Sequence, residues 1–319
     1  MKIAIIKQSL TNIGGLEKQT LRIANAFDNA HIISDDACEG YTTISPSKVD
    51  LSSYDIVLGI DRSLSQTHHR AGNGVHAAYL KNRSFLTPHL PRHRRLLSLE
   101  KTMLSSPTLR HIITNSHLVK KQFIDIYNYP ADKITAIHNG VEWDEMQQAF
   151  DERTPDDYFH LLFIGNDFKR KGLSPLLHAL STLKGWQLTV IGTDKRLKAM
   201  QALAQKLGIA SQTHFIGQAD PIPYYQRAHA LILPTSYDPF ANVCLEALAM
   251  GLPVITTPHN GASEVITEQS GIITPISELK TAIKTLYDKP WDPSAIRASV
   301  AHLDFKHQLR RFTKVCLTT

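Results

Sequence analysis

The sequence predicts an α/β protein made of two doubly wound, mostly parallel sheets. Three observations carry that expectation. Short apolar runs alternate with helix-length amphipathic segments along almost the whole chain, the sequence form of a parallel βαβ sheet. A length of 319 residues is long for one core and natural for two domains of about 150 residues each. A polar, acidic, apolar-poor segment, DEMQQAFDERTPDDY over 144–158, interrupts the pattern near the middle and predicts a linker.

Taken in order, the strands expected in the first domain, residues 1–150, are KIAIIK, HIIS, YDIVLGI, RHIITNS and KITAIHN. Those of the second, 151–300, are HLLFIGN, WQLTVIGT, THFIG, ALILPT, PVITT and SGIIT. The helices LSPLLHALSTL and RLKAMQALAQKLG fall between them, the latter ending on Gly208, which suits a left-handed closing residue. From about Trp291 onward a helical segment is expected, and its last part, about 300–319, can return to the first domain. Each half has strands enough for its own Rossmann-like sheet. A ligand cleft is therefore expected where the domains face each other, at the carboxyl ends of the strands.

Apolar residues at 42% and charged ones at 20% are the profile of an ordinary globular protein, neither disordered nor membrane-spanning. No apolar run approaches the ~20 residues of a membrane helix, and MKIAIIKQSL turns polar too early for a secretory leader. Cys38, Cys244 and Cys316 are far apart with no C-x-x-C spacing, which argues against a disulfide framework and suits a reducing cytosol. A cytoplasmic location follows as the expectation.

The net charge of +6 is concentrated. Residues 81–121 hold Lys81, Arg83, Arg92, Arg94, Arg95, Lys101, Arg110, Lys120 and Lys121 against a single acid, Glu100. His89, His93, His111 and His117 lie in the same stretch, and His76 just precedes it. So large an imbalance favours an anionic partner, whether membrane, phosphorylated lipid or nucleic acid.

Four segments could carry chemistry. Gly14-Gly15 follows the first strand and opens a helix, where glycines let backbone N–H groups approach a phosphate. Gly72-Asn73-Gly74-Val75-His76-Ala77 nominally matches a dinucleotide fingerprint, but it follows HHRA, read here as a polar loop around His68-His69, and sits mid-domain. The NAD reading is rejected, leaving Asn73 and His76 as polar groups on a loop. In Asn166-Asp-Phe-Lys-Arg170-Lys171-Gly172, two adjacent cations beside a glycine at a strand end suit a diphosphate.

The fourth segment is Asp238-Pro-Phe-Ala-Asn-Val-Cys-Leu-Glu246, between an apolar strand and a helix. Backbone N–H groups of Phe240, Ala241, Asn242 and Val243 are placed to hold phosphate oxygens. Asp238 can accept from sugar hydroxyls, or cap the helix. Glu246, set among apolar residues, needs a partner, and a ribose diol offers two donors to its two oxygens. No H-E-x-x-H and no strand-end D-x-D occurs, so no metal is expected.

At these residues the sequence resembles the family 4 retaining glycosyltransferases. DPFANVCLEALAMGLPVITT, FIGNDFKRKG, the GGLE turn and HNGVE carry the resemblance, and GTDKRLKAMQALAQKLG narrows it to the lipopolysaccharide core glucosyltransferase I group. It covers essentially the whole second domain and is looser in the first. The resemblance implies the GT-B architecture, two Rossmann-like domains facing across a cleft. It implies retaining, metal-independent transfer of a hexose, glucose first, from a nucleotide-diphosphate sugar such as UDP-glucose to a lipid-linked saccharide, with lipopolysaccharide core as the acceptor. It gives Arg170 and Lys171 the departing diphosphate, Asp238 the donor sugar and Glu246 the ribose. The first domain would bind the acceptor. Region 81–121 would rest on the anionic inner face of the cytoplasmic membrane rather than on nucleic acid, making the protein peripheral there.

Two departures stand out. Asp238 replaces the commoner Glu, shortening its reach, and Ala241 replaces a usual Gly, which requires a negative φ there. Two other readings compete: a nucleotide-sugar epimerase, for which the chain offers no convincing acid/base pair, and a membrane-associated binding module with a degenerate site.

Overall fold

The computed structural model describes the chain except residues 1, 11–14, 28–29, 37–39, 82 and 84–85, and only the backbone of residues 15, 16, 18, 19 and 47. The chain divides into two compact units, Met1–Asn139 with Lys306–Thr319, and Gly140–Phe305.

The first unit holds β1 (Ile3–Ile6), β2 (Ala30–Ile33), β3 (Thr43–Ile44), β4 (Ile56–Gly59), β5 (His68–Ala71), β6 (His111–Thr114) and β7 (Ile134–Ala136) in one parallel sheet of order β3-β2-β1-β4-β5-β6-β7. Its helices are α1 (Gly15–Asn25), α2 (His76–Lys81), α3 (Pro91–Leu104) and α4 (His117–Tyr127). The second unit holds α5 (Trp143–Asp151), β8 (Phe159–Ile164), α6 (Phe168–Lys171), α7 (Leu173–Leu180), β9 (Trp186–Ile191), α8 (Leu197–Lys206), β10 (Thr213–Gly217), α9 (Ile222–Arg227), β11 (Ala230–Leu233), α10 (Asn242–Ala249), β12 (Val254–Thr256), β13 (Gly271–Ile273), α11 (Leu279–Asp288) and α12 (Pro293–Ser299). Its sheet order is β10-β9-β8-β11-β12-β13, all parallel. Both units are thus doubly wound, and their strand order reverses between β1 and β4 and between β8 and β11. The last helix, α13 (Phe305–Thr318), puts Phe312 and Cys316 into the core of the first unit beside Ile5, Ile23 and Leu58.

Strands buried on both faces read as continuous apolar runs, and ALIL of β11, with every residue buried, is the clearest. Gly208 lies just past α8 with φ +73, the left-handed closure expected of it. Among the described residues no helix is long and apolar enough to cross a membrane.

Three expectations need correction. The segment 144–158 is not a linker, and the boundary falls at 139/140 rather than at 150. Most of it is α5, which buries Met146 and Ala149 at helical spacing and packs on α9 and α10. HHRA is not a polar loop but β5, a wholly buried strand between β4 and β6. Its polar side chains find partners inside the unit, Arg70 Nε excepted. His68 Nδ1 meets Thr67 Oγ1 at 2.9 Å, and His69 Nδ1 meets the Gly59 carbonyl at 3.2 Å. Arg70 donates to the Thr114 carbonyl at 2.9 Å and to Asn139 Oδ1 at 2.6 Å. The Gly72–Gly74 turn therefore does follow a strand and does precede a helix, α2. What still separates it from a dinucleotide fingerprint is its place after the fifth strand instead of the first.

The third correction concerns charge. Glu100 does not oppose the basic region, because it has no solvent exposure. It accepts from Arg62 Nε and the His76 N–H, both at 2.9 Å, and from the Tyr127 hydroxyl at 2.6 Å. Lys81, Arg92, Arg94, Arg95, Lys101, Arg110 and Lys121 are exposed, so the solvent-facing charge of 81–121 is more one-sided than the sequence count. Leu86 and Leu90, 59% and 52% exposed, stand directly before the arginines of α3.

Candidate functional site

The predicted donor residues of the second unit gather at the strand-order reversal, on the loops that leave β8, β11 and β12. β8 ends at Ile164, and Asp167, in the left-handed region at φ 56, caps the single turn α6 by accepting from the Arg170 N–H. The Arg170 carbonyl is tied to the loop after β11, accepting from the Ser236 N–H at 2.8 Å and the Thr235 hydroxyl at 2.9 Å. Gly172, at φ +84, packs so closely that a Cβ would lie 2.1 Å from the Pro234 carbonyl oxygen. Backbone contacts of this kind fix where the two cations point.

They point at one oxygen. Lys171 Nζ lies 2.7 Å and Arg170 Nη1 2.8 Å from Asp238 Oδ2, and Arg170 Nη1 also donates to the Tyr237 carbonyl at 2.9 Å. Asp238 Oδ1 accepts from the Phe240 N–H at 3.2 Å. Burial alone would push the buried Asp238 carboxyl up, but Lys171 and Arg170 outweigh it and hold the carboxyl below the ordinary range. Burial works against the Arg170 charge as well; there Asp238, then Asp167, reverses the direction and raises it.

Ala241, the N-cap of α10, has φ −77, so the residue in place of glycine is unstrained, as the departure at that position requires. Its N–H donates to Asn260 Oδ1 at 3.1 Å. The predicted phosphate-holding backbone is thus narrower than expected, since the Phe240 and Ala241 donors already have partners within the protein. Asn242 and Val243 form the first turn of α10. At the other end of α10, Arg153 donates to the Met250 carbonyl at 3.0 Å and Arg297 to the Ala249 carbonyl, cations where the helix dipole favours them.

Glu246, half-buried on α10, accepts on Oε2 from the Tyr225 hydroxyl at 2.9 Å. The buried Cys244 thiol on the same helix is pushed up to about 12, chiefly by burial. Sequence reasoning missed Tyr225 and Asn260. Tyr225 reads as one of a pair of core aromatics. Asn260 had the Asn-Gly turn signal at 260–261; fully buried, it ties Ala241 and Ala262 to Thr256.

In the first unit, Gly14 lies outside the described residues, and Gly15 opens α1. Asn73 is exposed. His76 is buried, stacked on His93 with centroids 5.1 Å apart, and its Nε2 lies 3.1 Å from His93 Nδ1. Burial and then the Arg62 charge lower it to about 4, so it is neutral near pH 7. The structure does not bring Asn73 and His76 together as a pair of exposed loop groups.

Comparison with known proteins places this geometry. Residues 144–299 match the family described as Glycosyl transferases group 1, and residues 54–145 match Glycosyltransferase Family 4. The lipopolysaccharide glucosyltransferase WaaG of Escherichia coli K12 is 38% identical over 114 residues, 34% of this chain and 30% of that protein. A crystal structure of WaaG superimposes with a TM-score of 0.80 at 19% identity, covering 99% of this chain and 100% of that one. The Anabaena protein HepE, solved in complex with UDP and glucose, gives 0.77 at 17% identity over 100% of both chains. In sequence the chain spans about half the length of the curated relatives it matches. Two parallel doubly wound units match the GT-B architecture of these structures, and the two family matches run consecutively over residues 54–299, so the chain carries glycosyltransferase group 1 and family 4 domains and is similar to WaaG.

Proposed function

We propose that the protein is a retaining glycosyltransferase that moves a hexose, glucose first, from a UDP-sugar to a lipid-linked saccharide of the lipopolysaccharide core type. The observation that carries this reading is the convergence of Arg170 and Lys171 on Asp238 beside the first turn of α10. Two cations held by fixed backbone are preorganised for charge that develops on a departing diphosphate. They supply that charge from the protein itself, so the reaction is proposed to need no metal ion and no cofactor beyond the nucleotide sugar. Glu246 takes the ribose hydroxyls. Asp238, whose Oδ2 is committed to the cations, keeps lone pairs on Oδ1 for a donor-sugar hydroxyl.

The UDP-glucose assignment draws support from HepE, which binds UDP and glucose, and the acceptor class from WaaG. The first unit is assigned to the acceptor. Its exposed arginines, with Leu86 and Leu90 beside them, are assigned to the anionic inner face of the cytoplasmic membrane, with the protein peripheral there.

A panel of nucleotide sugars in a thermal-shift assay, followed by UDP release with and without core oligosaccharide, tests the reading. UDP-glucose should raise the melting temperature, and release should depend on acceptor and persist in EDTA. Absence of any shift across the panel would sink the proposal.

A further inference from the structure

We propose that Tyr225 is a positioning residue that fixes Glu246 for the ribose of the nucleotide. This rests on the assignment of Glu246 to the ribose. Tyr225 sits on the short helix α9 with no solvent exposure, and its hydroxyl lies 2.9 Å from Glu246 Oε2 and 3.3 Å from the Val243 carbonyl. The ring cannot touch a ligand, so any effect on binding passes through Glu246.

The physical case has three parts. A glutamate has three rotatable bonds, and an unanchored one must be ordered each time it binds. A phenol donating to one oxygen does that ordering in advance and decides which face of the carboxylate remains for two vicinal hydroxyls. The phenol is also a dependable donor, because burial and then the Glu246 charge push its ionisation well above the ordinary tyrosine value. Finally, the contact to the Val243 carbonyl ties the same hydroxyl to the first turn of α10, the turn assigned to the phosphates. One buried hydroxyl thereby sets the ribose acceptor in register with the phosphate site.

The test is calorimetric binding of UDP, 2′-deoxy-UDP and 2′,3′-dideoxy-UDP to the wild-type chain, Tyr225→Phe, Glu246→Gln and the double variant. Phenylalanine removes one oxygen from a buried ring and keeps its volume. The expected result is a ~2- to 10-fold loss of UDP affinity in Tyr225→Phe, the cost of ordering one side chain. The affinity for 2′,3′-dideoxy-UDP should not change. Glu246→Gln should abolish the ribose preference, and adding Tyr225→Phe to it should cost nothing more. Glu246→Asp, which draws the acid out of the hydroxyl's reach with Tyr225 intact, should lose the preference too. Equal losses for all three nucleotides in Tyr225→Phe would overturn the inference, because a loosened fold weakens every ligand alike. Unchanged UDP affinity would also overturn it, leaving the ribose assignment standing. A wild-type chain that binds UDP and 2′,3′-dideoxy-UDP equally would remove both.

Discussion

Lys171 Nζ and Asp238 Oδ2 stand 2.7 Å apart, and Arg170 reaches the same oxygen at 2.8 Å. A single carboxylate oxygen therefore holds both cations that the proposed diphosphate would use. Under the proposed function, the acid balances the cations until the diphosphate does. Asp238→Asn should lower stability by about 3 kcal/mol, since two largely buried cations lose their counter-charge. UDP, which returns negative charge to the site, should then raise the melting temperature of the variant more than that of the wild type. Equal shifts in the two proteins would show that diphosphate and Asp238 do not share the cations.

Gly172→Ala is expected to act at the same place through the backbone. Its φ of +84 is costly for alanine, and the new Cβ would meet the Pro234 carbonyl oxygen at 2.1 Å. A loss of about 2–4 kcal/mol in denaturant unfolding is expected, from strain and overpacking together. UDP affinity should fall as well. Wild-type UDP affinity in this variant would mean that the loop after α6 does not set the positions of Arg170 and Lys171.

The first unit should be the more acid-sensitive. Burial lowers His69 to about 3 and His68 to about 4, and His76 also falls to about 4. Each folded-state value lies below the unfolded one of about 6.5. The unfolded chain therefore binds protons first as pH falls, so stability is full above pH ~6.5 and drains towards pH 3–4. His69 alone accounts for on the order of 2 kcal/mol by pH 5. Hydrogen exchange at pH 5 should show β5 losing protection before β8 and β11. Uniform loss across both sheets would contradict this.

Charge reversal at Arg92, Arg94 and Arg95 should weaken sedimentation with anionic vesicles and lower its salt dependence, at about 1 kcal/mol per residue removed. Leu86→Asp with Leu90→Asp should weaken it by a salt-independent amount, because their part is apolar. Unchanged sedimentation in the arginine variant would refute the docking surface.

Both sheets were largely legible in the sequence because strands buried on two faces leave unbroken apolar runs such as ALIL and HLLFI. HHRA was not, because three polar side chains look like a loop until their partners, from the adjacent Thr67 to the distant Thr114 and Asn139, are known. The helix α5 was hidden for a related reason: only Met146 and Ala149 on it are fully buried, with Trp143 and Phe150 half-buried against the core among polar and acidic neighbours. In the site, Arg170, Lys171, Asp238 and Glu246 announced themselves as charges where charges are expensive. Tyr225 and Asn260 did not, since a tyrosine in a core and an asparagine in a turn are ordinary until their contacts are seen. That the Phe240 and Ala241 N–H groups have side-chain partners was equally invisible, for one of those partners, Asn260, comes from beyond β12.

The return of α13 to the first unit carries a consequence for biogenesis. The second unit is one unbroken segment, 140–305, whereas the first needs Phe312 and Cys316 of α13, from beyond that segment, to fill its core. During synthesis, the unit translated first cannot close until α13 has been made, after all of 140–305. A nascent chain stalled before α13 would leave that core open, an apolar surface for chaperones.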